Sequence, residues 1–234
     1  MKLYEEIRDD ILNDLRNGTY EIGCLIPKET ELAIKYDVSR PTVRQAIKLL
    51  VNEGYLYRIA GKGTFVKNNK ISQEFTHIIK SFNDEMINKG MIPSTNVVSL
   101  ETIIPSQEIK NLLQLKKNSK AIKLSRLRFA NDEALVFLNT YLPYENFESL
   151  LNLDFSKTSL YYELDLLGFK INKVSRNLEI KKSDYLSASL LNMHEGDPLY
   201  FFKTLGYHDN TIIEYSEAWY NGLKNSFKFE ISLT

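Results

Sequence analysis

The chain has 234 residues, 43% of them hydrophobic and 26% charged, and its 30 basic side chains balance its 30 acidic ones. That length suits one large domain or two modest ones, and the apolar content with zero net charge excludes a disordered chain. Only 10 glycines and 6 prolines exclude a collagen-like chain, no apolar run nears the roughly 20 residues of a membrane span, and the single Cys24 cannot close an internal disulfide.

The first stretch, MKLYEEIRDD, turns acidic at once, so no secretory leader is expected, and thiol independence fits a cytoplasmic protein. Leu3, Ile7, Ile11 and Leu15 recur every four residues and predict an amphipathic first helix that Gly18 can stop. A short second helix is expected over residues 29–36, with Leu32 and Ala33 inward. A third follows the break at Asp37-Val38-Ser39. Ser39 can cap it by accepting a backbone N–H bond, Val38 and Val43 can form a hydrophobic staple, and Pro41 falls in the first turn, where its missing N–H costs nothing. Val43, Ala46, Ile47, Leu50 and Val51 make its apolar face, and Gly54 ends it. The β-rich runs 55–59 and 64–67, joined across Ala60-Gly61-Lys62-Gly63, predict a hairpin. Three helices and a hairpin are the order of a winged helix-turn-helix.

Residues 67–73 are polar and aperiodic, and a linker is placed at 68–73, between domains at 1–67 and 74–234. Beyond it, helices are expected at 82–89, 107–113, 160–167 and 184–191. Strands are expected at 96–104, 121–130, 135–142, 171–180, 199–208, 212–220 and 227–232, with turns at Asn131-Asp132 and Asp209-Asn210. Hairpins interspersed with helices predict an α+β domain with a mainly antiparallel sheet.

Charge is unevenly spread. Residues 1–27 carry three basic side chains against six acidic, whereas residues 28–70 carry nine against four. A basic stretch on an otherwise neutral chain fits a small nucleic-acid-binding module. The polar face of the third helix presents Arg40, Thr42, Arg44 and Gln45 near its N-terminus, and arginine can bond guanine O6 and N7 together. Taken alone, that face reads better as an ordinary solvated one, and the hairpin tip beyond it shifts the balance. Gly61-Lys62-Gly63 at the hairpin tip adds charge and lets backbone approach phosphate or a minor groove, although it also suits a plain tight turn. A phosphate-loop reading of Gly61-Lys62-Gly63-Thr64 fails, because Leu56 stands where the first glycine belongs.

These residues resemble a known family. Leu25-Ile26-Pro27-Lys28-Glu29-Thr30-Glu31-Leu32-Ala33, Val38-Ser39-Arg40-Pro41-Thr42-Val43-Arg44-Gln45-Ala46, Glu53-Gly54-Tyr55-Leu56 and Gly61-Lys62-Gly63-Thr64-Phe65-Val66 are similar to the GntR family of bacterial transcription regulators. The resemblance implies that Arg40, Thr42 and Arg44 contact the operator's major groove and the tip at Gly61 and Lys62 its minor groove. Lys28, Thr30, Ser39, Gln45 and Gly63 complete the implied DNA-binding set. Lys28 and Thr30 stand where the family usually has serine and arginine.

In the second domain, Arg126 and Arg128 are two apart in an expected strand, on one face with Ile122 and Leu124. They suit either surface salt bridges or a phosphate, which guanidinium binds bidentately. Ser81 and Ser159 can each stand at a helix N-terminus. Ser81 through Met86, Arg126-Leu127-Arg128, Ser159-Leu160-Tyr161 and Glu214-Tyr215-Ser216 running on to Tyr220 resemble the UTRA ligand-sensing domain of the HutC subfamily, whose fold is similar to chorismate lyase. The resemblance implies an effector site of Ser81, Phe82, Arg126, Arg128, Ser159, Tyr161, Glu214 and Tyr220, the serines, arginines and Tyr161 holding phosphate and Glu214 and Tyr220 a sugar. After Tyr220 the chain reads Asn221-Gly222-Leu223-Lys224, where relatives often carry arginines.

His77, His194 and His208 are isolated, so no metal site or cofactor is expected. No Gly-x-Ser-x-Gly elbow supports hydrolase chemistry. The expectation is a homodimeric transcriptional repressor of a metabolic operon that binds double-stranded operator DNA and leaves it when a small anionic effector binds. The effector expected is a sugar phosphate, such as an amino-sugar 6-phosphate. The alternatives are the same architecture responding to a non-phosphorylated acid, an activator, or an enzyme on a lyase-like fold.

Overall fold

A computed structural model describes residues 2–67, 70–73 and 81–229, apart from the Arg16 side chain. The chain divides into two compact units, Met1–Lys70 and Ile71–Thr234.

The first unit runs α1 (Leu3–Arg16), α2 (Glu29–Lys35), α3 (Arg40–Asn52), β1 (Leu56–Ile59) and β2 (Gly63–Val66). Its core joins Ile7, Ile11 and Leu12 of α1 to Leu32 of α2, Val43, Ala46, Ile47 and Leu50 of α3, and Leu56 and Val66 of the hairpin. Leu3, expected in the α1 stripe, is 53% exposed. Four helical residues turn about 400°, so a strict four-residue row drifts off the packed face, and Leu12 takes the buried place. Ser39 stands at the N-cap of α3, but its hydroxyl makes no capping bond. Instead Ser39 Oγ lies 2.8 Å from Thr42 Oγ1. The hairpin is in register Leu56↔Val66 through Ile59↔Gly63, so Gly63 opens β2 instead of belonging to the tip. It has φ +129°, and a Cβ there would lie 2.6 Å from Leu25 Cδ2.

The second unit begins with β3 (Ile71–Gln73), then α4 (Phe82–Asn88), β4 (Pro93–Ile103), α5 (Gln107–Leu112), β5 (Ala121–Ala130) and β6 (Glu133–Pro143). The short α6 (Tyr144–Phe147) runs into a 3-10 turn at Glu148–Asn152. Then come α7 (Leu160–Leu166), β7 (Lys173–Lys182), α8 (Tyr185–Leu191), β8 (Pro198–His208), β9 (Thr211–Asn221) and β10 (Asn225–Phe227). Six strands form one antiparallel sheet in the order β4-β5-β6-β9-β8-β7. Asn131, Asp132 and Asp209 take positive φ at its hairpin turns, a conformation short polar side chains tolerate.

Two expectations are corrected here. Ile71–Gln73, assigned to the linker, form a strand paired in parallel with β10. Its stability comes from a distant partner: Gln73 Nε2 donates to Asn225 Oδ1 at 2.7 Å, and buried Asn225 Nδ2 donates to the Leu135 carbonyl at 3.1 Å. The last strand spans Asn225–Phe227 instead of 227–232, and residues 230–232 lie outside the described residues. His77 and residues 74–80, where the second domain was expected to begin, also lie outside them.

On one face of the sheet, α4 buries Phe82 and Met86 against Leu135, Val136, Phe202 and Ala218. On that same face the α6–α7 segment buries Phe147, Leu160 and Leu164 against Ile122, Leu124 and Leu142. The opposite face takes α8 at Leu127, Leu191 and Leu199, and an α5-associated cluster at Leu113, Tyr141 and Tyr215. The two apolar clusters on the first face leave a polar gap between them.

Candidate functional site

In the first unit, all the expected DNA-contacting residues but one are exposed. Lys28, Thr30, Ser39, Arg40, Arg44, Gln45, Gly61, Lys62 and Gly63 are exposed, and Thr42 is half-buried beside Ser39. α3 presents Arg40, Arg44 and Gln45 because its other face is packed: Val43 and Ala46 have no exposed surface. Arg44 is not a free side chain. Its Nε donates to Glu29 Oε2 at 2.9 Å, its Nη2 lies 2.9 Å from the same oxygen, and Arg58 Nη2 donates to Glu29 Oε1 at 2.9 Å. Partial burial pushes the Glu29 carboxyl up, but the bonds and charges of Arg44 and Arg58 outweigh it and hold its pKa below the usual value. Sequence reasoning missed Glu29 and Arg58. The available signal was an acid placed in the most basic stretch.

In the second unit, the expected effector residues surround the polar gap, a cavity of about 110 Å³. Ser81 caps α4, accepting a bond from Asp84 N at 3.2 Å and donating to Asp84 Oδ2 at 2.6 Å, and Phe82 follows as the first helical residue. Ser159 stands at the N-cap of α7 without a side-chain capping bond, and Tyr161 leads from that helix into the cavity. Arg126 and Arg128 come from β5, and Glu214 and Tyr220 from β9.

The arginine pair is the electrostatic centre. Arg126 is 2% exposed, and its Nη2 donates to Thr140 Oγ1 at 3.2 Å. The Arg128 guanidinium lies 5.2 Å from the Phe82 ring centroid, a cation–π distance. The Nε atoms of both are buried without a hydrogen-bond partner among the described residues. Burial, and the like charge of Arg128, push Arg126 well below its usual pKa, and burial lowers Arg128 as well. A buried cation beside a half-buried one of like charge, both with spare donors, is costly; Glu214 offsets part of that cost, and an anion in the cavity would offset more. The surface-salt-bridge reading therefore fails on burial for Arg126, while Arg128 is half-buried.

Glu214 is 3% exposed and accepts a bond from Tyr161 OH at 2.8 Å. Burial raises its pKa, opposed by the Tyr161 bond and by Arg126 and Arg176. Burial likewise raises Tyr161 and Tyr220, so both phenols remain hydrogen-bond donors at neutral pH. Room for Glu214 depends on Gly206, where a Cβ would lie 2.7 Å from Glu214 Oε2.

Sequence reasoning missed four polar lining residues: Glu85, Arg176, Thr204 and Ser216. Arg176 shares the inward face of β7 with Val174 and Leu178, which was a usable signal. Arg176↔Thr204 and Thr204↔Ser216 are cross-strand partners, a polar row that only strand register brings together.

Residues 3–66 match the family model described as bacterial regulatory proteins, gntR family, and residues 88–224 match the UTRA domain. The chain belongs to the GntR family, in its HutC-type form with a C-terminal UTRA domain. It is similar to the HTH-type transcriptional repressor NagR of Bacillus subtilis (strain 168), 30% identical over 227 residues that cover 96% of this chain and 93% of that protein. It is also similar to the probable fructoselysine utilization operon transcriptional repressor of Escherichia coli (strain K12), 29% identical over 213 residues, 89% of this chain and 85% of that one. The crystal structure of PhnF from Mycobacterium smegmatis has the same fold, with TM-score 0.69 at 23% identity over 97% of this chain and 99% of that one. The chain is a transcription regulator with a DNA-binding domain, not an enzyme. Among the described residues no helix is long and apolar enough to cross a membrane.

Proposed function

We propose that this regulator is a cytoplasmic homodimeric repressor of a sugar or amino-sugar operon, released from a palindromic operator by a phosphorylated sugar. The Arg126–Arg128 pair carries the reading: Arg126 is buried, Arg128 is half-buried, and the Nε of each has no hydrogen-bond partner among the described residues. Both guanidiniums retain donors for phosphate oxygens, and such charge-assisted bonds are among the stronger polar contacts. Ser81, Phe82, Ser159 and Tyr161 would close around the phosphate, while Glu214 and Tyr220 would address sugar hydroxyls. The name of the fructoselysine utilization repressor supports a sugar-derived effector, and both it and NagR, as repressors, support the negative sign of regulation. Lys28, Thr30, Ser39, Arg40, Thr42, Arg44 and Gln45 would read or grip the major groove, and Gly61, Lys62 and Gly63 would lie along the minor groove. Each winged helix reads one half-site, hence the dimer. Release requires the effector to bind the conformation that cannot hold operator more tightly than the one that can.

Calorimetry with a panel of sugar phosphates and their dephosphorylated parents tests this. A sugar phosphate should bind far more tightly than its sugar. Arg128→Ala should cost about 1.5–3 kcal/mol if its bonds to a charged ligand are lost, a roughly ten- to hundredfold weaker affinity. That variant should still bind operator but need correspondingly more inducer to leave it. An uncharged sugar that binds as well as its phosphate, or an Arg128→Ala protein with full inducer sensitivity, would remove the phosphate reading.

A further inference from the structure

We propose that Glu29 is a positioning residue for sequence reading: its carboxylate presets the Arg44 and Arg58 side chains so that α3 and the wing meet DNA in one fixed arrangement. The inference rests on the DNA-binding reading of the first unit. Glu29 opens α2, Arg44 lies on α3, and Arg58 lies on β1. One carboxylate therefore ties three elements together, with one oxygen on Arg44 Nε and Nη2 and the other on Arg58 Nη2, all at 2.9 Å.

The exposure pattern has a direction. The Glu29 side chain is 19% exposed, whereas those of Arg44 and Arg58 are 56% and 42% exposed. The acid sits behind and the guanidiniums stand in front. Glu29 takes bonds from two nitrogens of Arg44, and the remaining N–H donors of that guanidinium are left for a base edge. Exposed ion pairs contribute little to stability, and an acid in this segment weakens its attraction to phosphates. A side chain already held in its binding geometry loses less freedom on association, and that gain goes to the sequence that matches the geometry.

Pure charge and positioning predict opposite signs for Glu29→Gln. Removing a negative charge from a DNA-facing surface should tighten binding to any duplex. Losing the preset arginine geometry should weaken binding to the preferred one. The probe is a duplex enriched from a random-sequence pool by the full-length parent, measured beside an unselected duplex at several salt concentrations. We expect Glu29→Gln to bind the selected duplex about tenfold more weakly, within the range of one good bidentate base contact, and the unselected duplex more tightly.

Glu29→Asp, which keeps the charge but shortens the reach, should weaken selected binding and leave unselected binding unchanged. It decides the matter if Glu29→Gln fails to fold. In an Arg44→Ala, Arg58→Ala background the Glu29→Gln loss should largely disappear, because nothing remains to position. The proposal is overturned if Glu29→Gln tightens both duplexes in parallel, if Glu29→Asp reads DNA as the parent does, or if the loss persists undiminished in the double-arginine background. A parent that enriches no sequence removes the DNA reading, and this proposal with it.

Discussion

Glu214 illustrates how one side chain in the cavity opposes stability. It is buried on β9 beside two arginines, and burial raises its pKa above the ordinary carboxyl value of 4.5 despite the Tyr161 bond and the charges of Arg126 and Arg176. An acid whose pKa rises on folding favours the native state most where it is protonated. That contribution is complete below the unfolded value and is lost as pH rises through the folded one. Glu214→Gln mimics the neutral form, so its thermal midpoint should match the parent in acid and exceed it increasingly as pH rises through the raised pKa. Thermal melts across pH check this, and a gap that is independent of pH, or reversed, would contradict it. The same substitution should weaken effector binding, because it removes a charged acceptor facing the sugar. Strain kept at a binding site at the expense of stability is a common exchange.

The wing shows how an element depends on a residue with no side chain. Gly63 opens β2 at φ +129° and packs against Leu25 of the preceding turn, which itself bridges to Phe65. Alanine there meets both an unfavourable backbone angle and a contact at 2.6 Å with Leu25 Cδ2. Leu25 is 53% exposed and can yield, so the backbone term dominates. Gly63→Ala should cost about 1–3 kcal/mol in urea unfolding of the first unit's transition. It should also weaken DNA binding evenly across sequences, because a displaced wing loses phosphate and minor-groove contacts instead of base-specific ones. A variant as stable as the parent, with unaltered DNA affinity, would show that the start of β2 tolerates a side chain.

At the scale of the molecule, the two units carry separate cores: one joins three helices to a hairpin, and the others lie on both faces of a six-stranded sheet. Each has the apolar interior that independent folding needs. Residues 71–234 expressed alone should therefore fold, and in the proposed assembly they should also dimerise without the DNA-binding unit. Sedimentation velocity at micromolar concentration checks both points, and a folded monomer would move the dimer contact elsewhere. The start of that fragment matters. β3 supplies Gln73 to the buried Asn225 amide, so a fragment begun after residue 73 leaves that amide short of a partner and should be less stable.

Much of this was legible in the sequence for local reasons. The α3 apolar face follows from spacing: Val43, Ala46, Ile47 and Leu50 fall on one side of any helix built from them, and all are buried. The turn at Asn131-Asp132 is written in residue types that accept positive φ. The effector residues could be named because motifs travel with a family, and Arg126 and Arg128 had to share a face because strands alternate. What sequence could not supply is whatever depends on partners distant along the chain. Ile71–Gln73 look like linker until Asn225 is beside them. Arg176, Thr204 and Ser216 become one polar row only through strand register. Gly206 matters because Glu214, across the hairpin, and Ile171 lie against it. Arg44, legible as an exposed polar residue, is seen to be held by Glu29 only once α2 packs beside α3. Periodicity and turn chemistry act within a few residues, so sequence determines them. Burial, ion pairing and the cost of an unpaired charge arise between elements, and only the tertiary fold decides which side chains meet.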